Sequence, residues 1–411
     1  MKLARACKTE LAPDEKQLSL LSQHSGVARF AYNWGLNWVL NVMEYNRLPH
    51  FRMKLPTAVD LHRELNLLKK TRFQWMYKSS KCAPQEALRD LEAAFRNFFE
   101  RRAGFPRFKS KKHGAGSFTL TGAIRVRPSE IRLPRLGWVR LKERGYIPSR
   151  MHVNSATVSE RAGRWFVSVN LVEETSEPPP RSGGSVVGVD RGIDRLLVIS
   201  DGTATENPGA LKRHMRKLKH LQRAISRKKK YSKNERKAVQ ALRRKHYRIA
   251  CVRLDAINKA TTMLAKNKSV IVVEDLNVKG MMANHRLARS IGDAGWSEVV
   301  RQLEYKTLWY GSRLIVADRW YPSTKRCSRC GHVEERMPLS ERTYHCEACS
   351  LIIDRDLNAA RNLEQWPGVA RTLTETPVKG GVHHLATVAL PLDEAGTISL
   401  EEGGGPRPWM S

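Results

Sequence analysis

Acidic residues are in short supply. The chain sets 40 Asp and Glu against 73 Lys and Arg, a net charge of +33 with histidine neutral. That balance argues against an acidic soluble enzyme of small-molecule metabolism. It points to a polyanionic partner, and nucleic acid is the usual one. Long apolar runs are also missing. Nothing reaches the roughly 18 residues that a membrane span needs, so no membrane partner is expected. The basic start Met1–Gln17 has no apolar signal-peptide core. The expected compartment is therefore the reducing cytoplasm, where the seven cysteines would not form disulfides. No internal repeat is seen. What is present is a chain of 411 residues, 41% hydrophobic with ten tryptophans, long enough for about two to four compact domains.

The hydrophobic period changes along the chain. Phe30, Trp34 and Trp38 recur every four residues, and Ala87, Leu88, Leu91, Ala94, Phe95, Phe98 and Phe99 repeat the pattern more densely. Both stripes predict core-facing helices. The helical region stops at Gly104–Lys109, before the basic, glycine-containing Ser110–Gly116. From 117 to 172 short β-type runs take over, marked by Ile131, Leu133 and Trp138. Strands over Ser155–Glu160 and Trp165–Val172 flank a hairpin loop at 161–164. A small β-barrel or β-sandwich is expected there, followed by a Pro/Gly-rich linker over Glu177–Gly184.

Val186–Asp190 then reads as an apolar strand ending in a carboxylate, and Leu196–Ser200 as a strand turning at Asp201-Gly202. Leu211–Arg248 is dense in Lys and Arg, with Glu235 as its single acid. Leu211, Met215, Leu218, Leu221 and Ile225 keep a helical stripe beneath those charges. A run so unbalanced suits phosphate contact, with Lys228, Lys229 and Lys230 as candidate nucleic-acid-binding residues. Ser269–Val273 is a second buried strand, followed by Glu274-Asp275. Ile291–Tyr310 reads as mostly helical, Leu314–Ala317 as a strand, and Arg355–Leu363 as a short helix. Beyond Arg371 the apolar pattern fades, and residues 371–411 are expected to be disordered.

Cys327-x2-Cys330 and Cys346-x2-Cys349 are separated by Gly331–His345. Two such knuckles are a strong zinc signal, because each lets two thiolates reach one ion and four complete a tetrahedron. A closed four-thiolate site is structural rather than catalytic. The redox alternative for a C-x2-C pair needs a thioredoxin-like context that is absent. His332 and His345 are surplus to the site, and Cys7, Cys82 and Cys251 are isolated. The carboxylates form a second group. Asp190 and Glu274 end strands that would lie side by side in one sheet, and Asp356 begins a helix. Such acids repel unless cations sit between them, and Mg²⁺ prefers hard oxygen ligands. From the residues alone Asp354, Asp275 and Asp194 compete for the same role, Asp354 also suiting a helix N-cap.

Four motifs in order carry a resemblance: Gly188-Val-Asp190-Arg-Gly192-Ile, Val272-Val-Glu274-Asp-Leu-Asn-Val, Tyr321-Pro-Ser-Thr-Lys-Arg-Cys327-Ser-Arg-Cys330-Gly and Asp354-Arg-Asp356-Leu-Asn-Ala-Ala-Arg-Asn-Leu. With Gly104-Phe-Pro-Arg-Phe and Asp293-Ala-Gly-Trp296, they resemble TnpB, a protein of insertion sequences related to the ancestors of type V CRISPR effectors. The resemblance spans residues 1 to 370. It implies a multidomain α+β protein: a β-barrel wedge domain at 1–20 and 117–180, and a helical recognition lobe at 21–116. An RNase H-like RuvC nuclease domain would cover 181–322 and 350–370, with a zinc ribbon at 323–349. It implies an RNA-guided DNA endonuclease whose guide RNA derives from the element's right end, acting on double-stranded target DNA beside a short flanking motif. The catalytic acids would be Asp190, Glu274 and Asp356, holding two Mg²⁺ ions. The ligands of one Zn²⁺ would be Cys327, Cys330, Cys346 and Cys349. Lys81 and Gln85 match positions that contact the flanking motif. The alternatives in view are an RNA-guided DNA-binding regulator without cleavage and a transposase or transposition accessory protein.

Overall fold

The computed structural model describes residues 2–111, 116–148, 151–174, 185–338 and 340–369. The expected linker at 177–184 and the expected tail at 371–411 lie outside them. The chain divides into two compact units, 1–175 and 176–411.

The first unit is built from β1 (Lys2–Ala12), α1 (Glu15–Tyr45), α2 (Ala58–Thr71), α3 (Cys82–Phe99), β2 (Ser117–Thr121), β3 (Arg125–Arg127), β4 (Glu130–Leu133), β5 (Gly137–Leu141), β6 (His152–Arg161) and β7 (Arg164–Glu174). Its strands form one seven-stranded sheet in the order β2-β6-β7-β1-β5-β4-β3. All the pairings are antiparallel. β1 joins the two halves of the sheet: Lys2–Glu10 pair with β7, and Leu11 and Ala12 pair with β5. The β6–β7 turn needs two left-handed residues, supplied by Ala162 at φ 53° and Gly163 at φ 80°. That backbone matches the twist of the strands it joins.

Asp14 caps α1, accepting from the Gln17 N–H while the Gln17 side chain returns to the Asp14 N–H. The buried face of α1 differs from the aromatic stripe. Val27, Ala28, Ala31, Leu36 and Val39 are buried, whereas Phe30 and Trp34 are half-buried and Trp38 is exposed. Close approach explains this. A Cβ added at Gly35 would stand 2.7 Å from Leu88 Cδ2 on α3. Gly35 therefore takes the point of closest approach, and Phe30 and Trp34 pack at its flanks against the same core. On α3, Ala87, Leu88, Leu91 and Phe95 are buried, while Phe99 is exposed.

The second unit holds β8 (Val186–Arg191), β9 (Arg195–Ile199), β10 (Ala204–Glu206), α4 (Ala210–Ser226), α5 (Lys233–Asn267), β11 (Val270–Glu274), α6 (Val278–Met281), α7 (Ala288–Ala294), α8 (Trp296–Tyr310), β12 (Arg313–Ala317), β13 (Thr343–His345), β14 (Ile352–Asp354) and α9 (Arg355–Glu364). Its five-stranded sheet runs β10-β9-β8-β11-β12. The β8–β11 and β11–β12 pairs are parallel, and β9 returns antiparallel to β8. Val187, Val189, Ile271 and Val273 share a core with Ile257 and Leu264 of α5 and Val299 and Leu303 of α8. Val270, Val272 and Ile315 share a core on the other face with Leu363 of α9. The expected helix over 291–310 is two helices, broken at Gly295, whose φ of 69° closes α7 and opens α8.

The basic hairpin α4–α5 has a thin core of Ala210, Leu218 and Ile249, with Leu211 and Leu242 against it. Asp293 on α7 anchors it. Its carboxylate accepts from the Leu211 N–H at 2.9 Å and the Lys212 N–H at 3.3 Å, both at the start of α4, and from Arg253 of α5 at 2.9 Å. Asp293→Ala leaves Arg253 without that partner and the first turn of α4 uncapped. We expect a cost of about 3 kcal/mol, read as a lower melting temperature with faster amide exchange over the first turn of α4. Unchanged exchange there would refute the anchoring role.

Candidate active site and metal centre

Strand alternation decides which side chains meet. Gly188 and Asp190 point to the sheet face opposite Val187 and Val189, and Val272 and Glu274 to the face opposite Ile271 and Val273. That face is the one α9 covers. Gly188 lets the helix approach: a Cβ there would lie 1.9 Å from the Ala360 carbonyl oxygen. α9 is thereby seated with its first turn, and Asp356, at the strand ends carrying Asp190 and Glu274. Burial, then the negative charges of Asp356 and Glu274, push the Asp190 carboxyl up from 3.8 to about 7. By surface area Asp190 is only half-buried, so water at the mouth of the site screens part of that penalty. Burial also raises Glu274, opposed by Arg191 and by Ser323, whose hydroxyl faces Glu274 Oε1 at 3.5 Å. Arg191 is buried, and its guanidinium donates to the Glu274 and Trp296 carbonyl oxygens. The Trp296 indole N–H donates to the Gly192 carbonyl oxygen at 3.1 Å. The Asp293-Ala-Gly-Trp296 stretch thus holds both the basic hairpin and the turn after β8.

The competing acids are paired elsewhere, whereas Asp356, though it too faces Arg195 and Arg355, stands beside Asp190. Asp275 pairs with Arg319 at 2.5 Å and Asp194 with Arg342 at 2.5 Å, both on the surface. Asp354 caps α9, accepting from the Leu357 N–H at 3.0 Å, and its carboxylate binds Arg195. Three carboxylates converging where burial already penalises charge are a hard-oxygen set suited to divalent cations.

The four cysteine sulfurs lie within 4.8 Å of one another. Cys327 and Cys349 are 3.6 Å apart, as are Cys330 and Cys346. Thiolates about 2.3 Å from a tetrahedral zinc ion would stand about 3.8 Å from each other, so the cluster fits that ion. The two knuckles share one backbone pattern. The Cys327 N–H donates to the His332 carbonyl and Gly331 N–H back to Cys327. Likewise Cys346 N–H donates to Leu351 and Ser350 N–H back to Cys346. Each turn needs a left-handed residue, Gly331 at φ 80° and Ser350 at φ 55°. β13 pairs with β14, which runs directly into α9. Asn358 and Asn362, fully buried on α9, donate to the Arg326 carbonyl oxygen at 2.7 and 2.6 Å, and Asn358 accepts from the Ser328 N–H at 2.9 Å. These two asparagines, which sequence reasoning did not single out, lace the cysteine knuckle to the Asp356 helix. Their sequence signals are their place in the Asp354–Leu363 motif and the four-residue spacing that sets both on one face of α9.

Lys228, Lys229 and Lys230 are exposed in the turn between α4 and α5. Lys81 is exposed at the N-cap of α3, with the half-buried Gln85 one turn on. Among the described residues no helix is long and apolar enough to cross a membrane.

Residues 154–285 match the family described as "Probable transposase", 296–363 a "Cas12f1-like, TNB domain", and 1–39 a "Helix-turn-helix domain". In this chain the described part of that last segment is β1 and a single continuous helix. The structure resembles Cas12f1 in its complex with sgRNA and target DNA, at a TM-score of 0.50 and 12% identity over 88% of this chain and 99% of that one. The fold is therefore that of the compact Cas12f-like effectors. A protein of Streptomyces pristinaespiralis named as an RNA-guided DNA endonuclease is 37% identical over 367 residues, 87% of this chain and 88% of that protein. InsQ of Escherichia coli K12, with the same activity in its name, is 34% identical over 88% of this chain and 92% of its own length. The chain belongs to the TnpB family.

Proposed function

We propose that this protein is an RNA-guided DNA endonuclease that hydrolyses target DNA at Asp190, Glu274 and Asp356. The observation that supports the site is the placement of Asp190 at the sheet edge beside Asp356 and Glu274, where burial first and then those two charges push its carboxyl up to about 7. The relatives' names carry the RNA guidance. In this reading the acids hold Mg²⁺, which supplies an activated water and stabilisation of the leaving 3′ oxygen. The chain's own part is to fix the carboxylates: Gly188 admits α9, Arg191 ties the end of β11, and Trp296 ties the turn after β8. The cysteine cluster holds a structural Zn²⁺.

The rest of the assignment belongs to the same proposal. Residues 1–20 and 117–180 act as the wedge, 21–116 as the recognition lobe, 181–322 and 350–370 as the RuvC-like nuclease, and 323–349 as the zinc ribbon. Guide RNA and target DNA are the partners. Lys228, Lys229 and Lys230 contact phosphate, and Lys81 and Gln85 the flanking motif. A protein of charge +33 binds any nucleic acid at low salt, so binding alone is no test. The protein is purified with and without RNA transcribed from the downstream end of its element, then offered a plasmid library. Cutting at a fixed distance from a short motif, only in the RNA-loaded sample, is expected. Equal, sequence-random cutting in both samples would reject RNA guidance. Guide-dependent binding without cutting would leave a DNA-binding regulator.

A further inference from the structure

The acid cluster carries its own cation. Arg195, at the start of β9, places Nη2 at 2.7 Å from both carboxylate oxygens of Asp354 and at 3.1 Å from Asp356 Oδ2. The other Asp356 oxygen, Oδ1, faces Arg355 at 3.3 and 3.4 Å. Both oxygens of Asp356 are therefore engaged by guanidinium groups. The anchor is separate from the load. Asp354 is fixed as the N-cap of α9 through the Leu357 N–H, so it can retain Arg195 whether or not Asp356 does. Each carboxylate oxygen has two lone-pair positions, which leaves Asp356 able to turn toward a second cation. The same guanidinium charge opposes that cation's arrival.

We propose that Arg195 is a positioning residue that serves as resident counter-ion of Asp356. It holds the carboxylate in the metal-free protein, yields it when a divalent cation binds, and remains moored on Asp354. This rests on the reading that Asp190, Glu274 and Asp356 hold divalent metal. Sharing between two acids is the central feature. A guanidinium bound to Asp356 alone would compete strongly with metal. One bound mainly to Asp354 competes weakly and returns when the metal leaves.

Two substitutions should then move metal affinity in opposite directions, whereas a merely structural role would weaken binding in both. The measurement is Mn²⁺ binding to the full-length, zinc-loaded, RNA-free protein, followed by the electron paramagnetic resonance signal of free Mn²⁺. Arg195→Gln removes the competitor, and its apparent dissociation constant should fall at least about threefold. Arg195→Lys keeps the charge and should stay near the parent. Asp354→Asn retains a helix cap but frees the guanidinium to settle on Asp356, so Mn²⁺ should bind more weakly than to the parent. Melting temperatures of each variant identify any that fails to fold. Unchanged or weaker binding in folded Arg195→Gln overturns the proposal, as does tighter binding in Asp354→Asn. Asp356→Asn is the separate control on the site: if it binds Mn²⁺ as the parent does, the acids do not hold metal, and the nuclease assignment falls with the counter-ion.

Discussion

Asp190→Ala is expected to slow cleavage by the guide-loaded protein at least about a hundredfold, the scale on which loss of one preorganised electrostatic group slows an enzyme. Guide and target binding should stay near the parent level, because the residue faces Asp356 and Glu274 at the sheet edge. Plasmid cleavage and a filter-binding assay on the same preparations check both halves. Undiminished cutting would remove Asp190 from the site. The isosteric Asp190→Asn adds a stability readout of opposite sign. The folded carboxyl titrates at about 7 against 3.8 unperturbed. Between those values the folded chain holds a proton that the unfolded chain has released, so the stability of protein without added Mg²⁺ falls as pH rises from about 4 to about 7. The full shift would correspond to roughly 4 kcal/mol, and partial exposure cuts this to about 2 kcal/mol. Asp190→Asn removes the burden. It should melt above the parent at pH 8 and close to it near pH 4, by calorimetry. Equal melting of the two at pH 8 would mean that the acid is not desolvated.

Cys346→Ser should damage the protein by another route. Cys346 is buried, with its sulfur 3.6 Å from that of Cys330. Apparent binding energies of structural zinc in small domains are about 10–16 kcal/mol, and that energy is folding energy. A weakened centre loosens both knuckles. Asn358 and Asn362 then lose the Arg326 carbonyl oxygen they share, and α9 loses part of what seats Asp356. The expected result is sub-stoichiometric zinc by elemental analysis, a ribbon open to protease, and cleavage reduced at least about tenfold, the lower end for loss of a group that supports a metal centre. Parent protein that is active with no zinc would refute the chain of support.

The legible part of this protein lies where chemistry is local. C-x2-C spacing brings two sulfurs together through one turn, so the four cysteines could be named from their intervals, and they lie within 4.8 Å of one another. Asp190 and Glu274 could be placed at strand ends because an apolar run followed by an acid marks the edge of a buried sheet. The aromatic stripe of α1 was legible in part. Phe30 and Trp34 pack against the core, but Trp38 is exposed, and the closest approach to α3 is made at Gly35. Period locates a face, but the distance between two helices decides which residues on it can be large.

Sequence alone determined the basic character, the four-sulfur cluster and the motif order that places the chain in its family, because each depends on composition or short intervals. Tertiary structure alone decided what each acid touches. Asp354 and Asp356 are two residues apart and chemically alike, and the family motif had already favoured Asp356 for the metal site while Asp354 suited a helix cap. The structure adds the contacts: Asp354 caps α9 and holds Arg195, and Asp356 stands near enough to Asp190 to raise its carboxyl. Arg195 stands 159 residues before Asp354, and no interval in the sequence links them. Their meeting follows from α9 pressing on Gly188, a contact that exists only once the sheet has formed.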